Sequence, residues 1–166
     1  MAKDYSDVWG CSINWKKVFF NLMDKWWEQK HIQLIVSRGS GRYNEAKLTQ
    51  SLYDFLSRRL KKEFEVLNMR PRENSTIPDI RLRTQSDLFG CLYEDAIEVK
   101  KGLSSTNEEN RLIGQVSKYC KKYSHCFVVI CGGEIKSGLV DEVKRHLSEE
   151  QRKKTAIWTP FKELRF

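Results

Sequence analysis

The chain has few of the features that would assign it to a membrane, an oxidising compartment or a motor. No apolar run approaches the ~18 residues that a membrane-spanning helix needs. The start, Met1-Ala2-Lys3-Asp4, lacks the apolar stretch of a secretory signal. The five cysteines (Cys11, Cys91, Cys120, Cys126 and Cys131) are odd in number and contain no CxxC pair. That speaks against a disulfide scaffold and for a reduced protein. Cys126 and Cys131 lie in an apolar run, where a free thiol serves as a small hydrophobe. Cys120, Cys126 and Cys131 also lack the spacing of an iron–sulfur cluster. His31, His125 and His146 are widely scattered and form no metal pair. There is no P-loop and hence no ATP-driven motor in this chain. Repeats, low-complexity tracts and linkers are absent as well. The expectation is a soluble intracellular protein with no membrane partner.

What is present is a basic chain of one-domain size. Its 166 residues suffice for an independent core, and 40% of them are hydrophobic. Lys and Arg total 30 against 22 Asp and Glu, a net charge of +8 and a pI near 9.3. A pI above about 9 is an expected footprint of a nucleic-acid binder, shared with proteins that merely carry solvated basic faces.

Periodicity predicts the elements. From Ile13 to about Lys30, apolar residues recur at three and four: Trp15, Val18, Phe19, Leu22, Met23, Trp26 and Trp27. This amphipathic helix either covers the core or offers a dimer or partner surface, where tryptophan is enriched. A second helix, about Asn44 to Leu60, carries the stripe Leu48, Leu52, Phe55, Leu56 and Leu60. Glu45 shares that inward face by its offsets of three and seven, although a helix N-terminus favours a glutamate in any case. Strands are expected at Phe64–Met69, Asp79–Arg83 and Leu92–Lys100, then a helix at Glu108–Lys122. A strand buried on both faces follows at His125–Cys131, then a helix at Leu139–Leu147 and a last strand at Thr155–Thr159. Three strands in a row suggest an antiparallel meander, and the helix after the third implies a parallel crossover. The fold class is therefore α/β, a mixed central sheet flanked by helices with an extra N-terminal helix.

The chemistry concentrates in Ala96-Ile97-Glu98-Val99-Lys100. In a strand, Ile97 and Val99 point one way and Glu98 and Lys100 the other. Pro78-Asp79 sets a carboxylate at the start of the neighbouring strand, with eighteen residues between Asp79 and Glu98, as two strands and a loop require. Asp79 and Glu98 then meet across the ladder. Magnesium binds through one or two carboxylates plus waters and substrate phosphate, so this pair suits it. Lys100 has three roles open to it: positioning a water, stabilising charge, or acting as a base. An isolated ExK is weak, because Glu–Lys pairs are common on solvated strands.

The pattern Pro78-Asp79…Glu98-Val99-Lys100, with its element order, resembles the PD-(D/E)XK nuclease superfamily over roughly residues 37–160. The resemblance implies a restriction-endonuclease-like αβββαβ core. It also implies a DNA nuclease that uses Mg²⁺, with Mn²⁺ substituting, and a metal site of Glu45, Asp79 and Glu98. Gln115 and Tyr119, four apart on one helix face, are similar to the QxxxY motif of RecB-like members; they would position DNA or the catalytic Lys100 and Glu98, or else Tyr119 simply packs in the core. Arg38-Gly39-Ser40-Gly41-Arg42-Tyr43-Asn44-Glu45 is similar to the entry to the catalytic helix in archaeal-type Holliday junction resolvases, which are small homodimers. That makes branched DNA a sub-alternative, from which the tryptophan-rich helix and Gln115/Tyr119 depart. The resulting expectations are Asp79, Glu98, Lys100, Gln115 and Tyr119 as catalytic, and Arg38, Arg42, Arg81, Arg83 and Lys101 on DNA. Residues 1–36 form a helical extension packed on the core, and 37–166 the nuclease domain. A different class of function also fits: a nucleic-acid-binding module on a nuclease-like fold, inactive or dependent on a partner.

Overall fold

A computed structural model describes residues 15–29, 32, 42–60, 64–69, 77–84 and 94–166. The elements in chain order are α1 (Trp15–Trp27), α2 (Arg42–Leu60), β1 (Phe64–Asn68), β2 (Ile80–Thr84), β3 (Glu94–Lys100), α3 (Thr106–Lys122), β4 (Cys126–Ile130), α4 (Leu139–His146), α5 (Glu149–Lys154) and β5 (Thr155–Trp158). The five strands form one mixed sheet in the order β1-β2-β3-β4-β5. β1, β2 and β3 pair antiparallel, while β3, β4 and β5 run parallel, as the intervening helices require. The expected αβββαβ core is present as α2-β1-β2-β3-α3-β4.

The alternation of side chains along each strand divides the core in two. Ile80 and Leu82 of β2, Ile97 and Val99 of β3, Phe127 and Val129 of β4 and Trp158 of β5 pack with α1 and α2. Ala96, Val128, Ile130 and Ile157 pack with α3 and α4 on the other face. All five residues of β4 are buried because the strand is covered on both faces, which accounts for its uninterrupted apolar sequence. In α1, Phe19, Leu22, Met23 and Trp26 are buried in the first cluster. Trp26 Nε1 donates to Ser51 Oγ of α2 at 3.2 Å, and Trp158 Nε1 of β5 donates to Asp24 Oδ1 of α1 at 3.0 Å. Trp26 and Trp158 thus find partners for their N–H groups while burying their rings, and one face of α1 is a core surface.

Two features lay beyond the apolar pattern. α3 begins at Thr106, two residues before the expected Glu108, because Ser105 and Glu108 form a reciprocal capping box. α5 was not expected at all; it is a polar helix with no buried residue, started by a second box, Ser148 with Gln151. Hydrophobic periodicity cannot report such a helix, but Ser-x-x-Gln could have. The expected loops at 71–76 and 85–90, and Arg38, lie outside the described residues, as does the side chain of Arg42. Among the described residues, no helix is long and apolar enough to cross a membrane.

Trp26 is fully buried, so Trp26→Ala is expected to cost about 3–5 kcal/mol in chemical denaturation. Phe161, half exposed, is expected to change stability by less than about 0.5 kcal/mol when replaced by alanine. Equal effects would show that α1 is not part of the cooperative core.

Candidate active site

The register of β2 with β3 brings the carboxylates together. Ile80 faces Ile97, so one step further along the antiparallel ladder Asp79 faces Glu98. Met69 N–H donates to Asp79 O at 3.0 Å and extends the β1–β2 ladder to that residue. Asp79 Oδ2 in turn accepts from Val99 N–H at 2.7 Å, which fixes its carboxylate against β3. Ile97 and Val99 are in the core beneath α1 and α2, so Glu98 and Lys100 project to the face covered by α3.

There Glu98 is held by three donors. Lys100 Nζ lies 2.6 Å from Glu98 Oε1, Gln115 Nε2 donates to the same oxygen at 2.7 Å, and Tyr119 O–H donates to Oε2 at 2.9 Å. Gln115 and Tyr119 sit one turn apart on α3, so a single helix face delivers both. The Glu98 side chain is only 4% exposed. A buried carboxylate is tolerable when its oxygens are saturated this way. It has about four acceptor positions, so three donors leave capacity for one further partner. Burial and the adjacent Glu98 charge both push the Tyr119 hydroxyl upward, so it stays protonated and remains a donor.

Glu45 enters from the opposite layer. It stands in the first turn of α2, and its Oε2 accepts from Lys101 N–H at 3.1 Å, just beyond the end of β3. The chain turns there on Gly102, whose φ of +84° suits glycine; a Cβ would run into the Glu134 carbonyl. Leu103 N–H donates to that carbonyl at 2.8 Å and Lys136 N–H to Leu103 O at 2.9 Å, so the segment after Lys101 is pinned.

The electrostatics follow from three carboxylates sharing a poorly hydrated corner. Burial first, then the charge of Glu98 and, more weakly, that of Glu45 raise Asp79 to about 7; the Val99 N–H and Lys100 oppose the shift without cancelling it. Gln115 Oε1 is buried and lacks a hydrogen-bond partner. Carboxylate oxygens crowded until one holds its proton, beside an unpartnered amide oxygen, form a donor set that fits a hard divalent cation such as Mg²⁺.

The other sequence candidates fall outside this group. The Arg81 guanidinium is paired with Glu94 and lies over the Tyr123 ring, with its side chain 17% exposed. Arg83 is half exposed, 3.5 Å from Glu94 and 3.7 Å from Glu65. A further acidic residue in β3, Asp95, is structural: its Oδ1 accepts from His125 N–H at 3.0 Å and meets Nδ1 at 2.9 Å, while Trp15 packs against that imidazole at 4.4 Å. Sequence reasoning missed the Ser105–Glu108 box, which sets where α3 starts and so the phase at which Gln115 and Tyr119 reach Glu98.

Because Asp79 is raised to about 7, the folded protein keeps a proton that the unfolded chain releases near 4. That contribution is complete at low pH and is lost as pH rises from about 4 to about 7. Asp79→Asn keeps an acceptor for Val99 N–H without the charge. In chelator at pH 8 it is expected to exceed the wild type in stability by on the order of 2–4 kcal/mol in urea titrations. A variant less stable than wild type at pH 8 would contradict the raised Asp79.

No family model matches the chain, and no curated protein does. Among solved structures, the chain is similar to one of the restriction endonuclease FokI bound to DNA, with 11% identity and a TM-score of 0.42. The match covers 90% of this chain and 28% of that one. A likeness at that score carries no argument about chemistry, which must come from the side chains themselves.

Proposed function

We propose that this chain is a metal-dependent DNA nuclease that hydrolyses phosphodiester bonds with an activated water. The observation that carries this reading is the Glu98 carboxylate, buried opposite Asp79 and clamped by Lys100, Gln115 and Tyr119. A stable core has no need of three acidic groups crowded until one resists ionisation.

Asp79, Glu98 and Glu45 would hold the cation. When bound, Mg²⁺ supplies Lewis-acid stabilisation of phosphate charge and lowers the pKa of its water. The chain's own groups do the rest. Val99 N–H fixes the Asp79 carboxylate, and Gln115 and Tyr119 fix that of Glu98, so neither must reorganise when substrate arrives. The Lys100 ammonium spends one donor on Glu98 and keeps the others for a phosphate oxygen or the attacking water. Of the expected DNA contacts, Lys101, at the strand end beside Glu45, and Arg83, half exposed on β2, are described and available to the DNA backbone. Arg38, outside the described residues, and Arg42, the first residue of α2, belong to the same proposal. Arg81 belongs to it only if phosphate displaces Glu94.

The purified chain is tested on single-stranded, duplex and branched DNA with Mg²⁺ or Mn²⁺. Cleavage is expected with either ion and none in chelator. Glu98→Ala and Lys100→Ala are each expected to lower the rate by at least about 100-fold. Tyr119→Phe, which removes one hydrogen bond from Glu98, is expected to cost less, about 10-fold. Cleavage that survives both alanine variants would sink the assignment. Salt-sensitive DNA binding without cleavage of any substrate would favour the binding-module reading instead.

A further inference from the structure

Helix α1 presents two faces. Phe19, Leu22, Met23 and Trp26 are buried in the core. Lys17, Phe20, Asn21 and Asp24, repeating at the same three and four, make a second face that is exposed or half-buried. That face is one wall of an open groove of about 1070 Å³, closed on its other sides by α5 and the segment that follows β5. The groove lies at the β5 end of the sheet, two strands from the β3 strand that carries Glu98. None of its lining residues belongs to the Asp79–Glu98 centre.

The walls are unevenly charged. Six cations line the groove against two carboxylates, and both carboxylates are already engaged. Arg165 donates to the two oxygens of Asp24 at 2.6 and 3.1 Å, and Lys153 Nζ lies 2.9 Å from Glu149 Oε1. Lys16 Nζ donates to the Arg152 carbonyl at 3.1 Å and meets no carboxylate among the described residues. Lys17, Arg152 and Lys162 are exposed and form no ion pair among the described residues. Burial, and then the charge of nearby Lys144, hold the Lys16 ammonium below the ordinary lysine range, so cations gather here without anionic compensation. The Arg165 guanidinium lies 5.9 Å from the Phe20 ring and 5.1 Å from that of Trp158, which fixes its wall before any ligand arrives.

Four uncompensated cations spread over three segments suit an extended polyanion. Small-molecule clefts of roughly 300–1,000 Å³ are mostly apolar and enclosing, whereas this groove is open and lined mainly by charged side chains. A phosphodiester backbone carries one charge at every nucleotide and can meet all four cations along its length. Trp15 and Phe20 set aromatic rings among the cations, a mixture that suits a nucleic-acid strand better than an acidic peptide. We propose that the α1–α5 groove is a second DNA contact, which holds the phosphodiester backbone away from the cleavage centre. This rests on the reading of the chain as a protein that acts on DNA, but not on cleavage itself. Lys17, Arg152 and Lys162 are the phosphate contacts, and half-buried Lys16 adds charge from the wall.

The test is DNA binding by the full chain in chelator, read as fluorescence anisotropy of a labelled oligonucleotide, single-stranded and duplex, across a salt series. Lys17→Gln, Arg152→Gln and Lys162→Gln change exposed positions, so folding is retained. Combined, they are expected to weaken binding about tenfold or more at low salt. Each lost contact should also flatten the plot of log affinity against log salt by roughly 0.7–0.9. A control that removes the same charge elsewhere, Arg58→Gln with Arg59→Gln and Lys121→Gln, is expected to weaken binding less than about threefold. Wild-type affinity and slope in the groove variant would overturn the proposal, as would absence of binding by the wild type. An equal loss in the control would overturn it too, because net charge alone would then be read. Oligoglutamate of equal charge that displaces the DNA as readily as unlabelled DNA would overturn it in favour of an acidic protein partner. Cleavage in Mg²⁺ is assayed separately and judges the Asp79–Glu98 centre, so either site can fail while the other stands.

Discussion

The organisation of this protein depends on one buried carboxylate. Glu98 lies in the middle of the sheet beneath α3, where an isolated negative charge would be prohibitive. It is stable there because Lys100 comes from its own strand and Gln115 and Tyr119 from one face of the helix above. Each donor is needed by Glu98, and each is itself fixed by the packing around it; Tyr119, for example, is buried in the α3 core. Three donors do not relieve the neighbouring Asp79, whose proton is retained to about 7 because its surroundings are dry and negative. The cluster is thus costly to the folded protein alone, and the proposed cation would make it favourable, the trade expected where a site serves chemistry more than stability.

The sheet makes this arrangement possible by keeping its two faces separate. The layer of α1 and α2 is almost wholly apolar and takes Trp15, Trp26, Trp27, Trp158, Phe19, Phe127 and Ile97 and Val99 of β3. The layer of α3 and α4 takes Ala96, Val128 and Ile130 and leaves room for Glu98 and Lys100 at the strand's end. Glu45 crosses between layers only because β3 stops at Lys100 and the turn at Gly102 exposes the Lys101 amide. A residue from the apolar layer thereby reaches the same corner.

Much of this was legible in the sequence, and for identifiable reasons. Alternation in Ala96–Lys100 told which residues share a face, and Pro78 told where β2 begins. The apolar run before Cys131 told that β4 is covered twice. The offset of Gln115 and Tyr119 told that one helix face carries both, though not that both end on Glu98, which depends on how α3 sits over β3. Signals outside hydrophobic periodicity were overlooked: the two Ser-initiated capping boxes, and with them α5. Contacts decided by tertiary packing were not legible at all. Arg81 shares a strand face with Asp79, yet its guanidinium turns to Glu94 and Tyr123, and Glu109 meets Glu142 and His146 only through the docking of α3 on α4.

The most direct measurement is proton release on Mg²⁺ binding at pH 6, read by calorimetry in two buffers of different ionisation enthalpy. If Asp79 and Glu98 hold the ion, binding must displace the proton that Asp79 keeps to about 7. The apparent enthalpy should then differ between buffers by most of one proton, and Asp79→Asn should abolish that difference. Mg²⁺ binding with no proton released, or with release unchanged in Asp79→Asn, would contradict the assignment of these strands as the metal-binding centre.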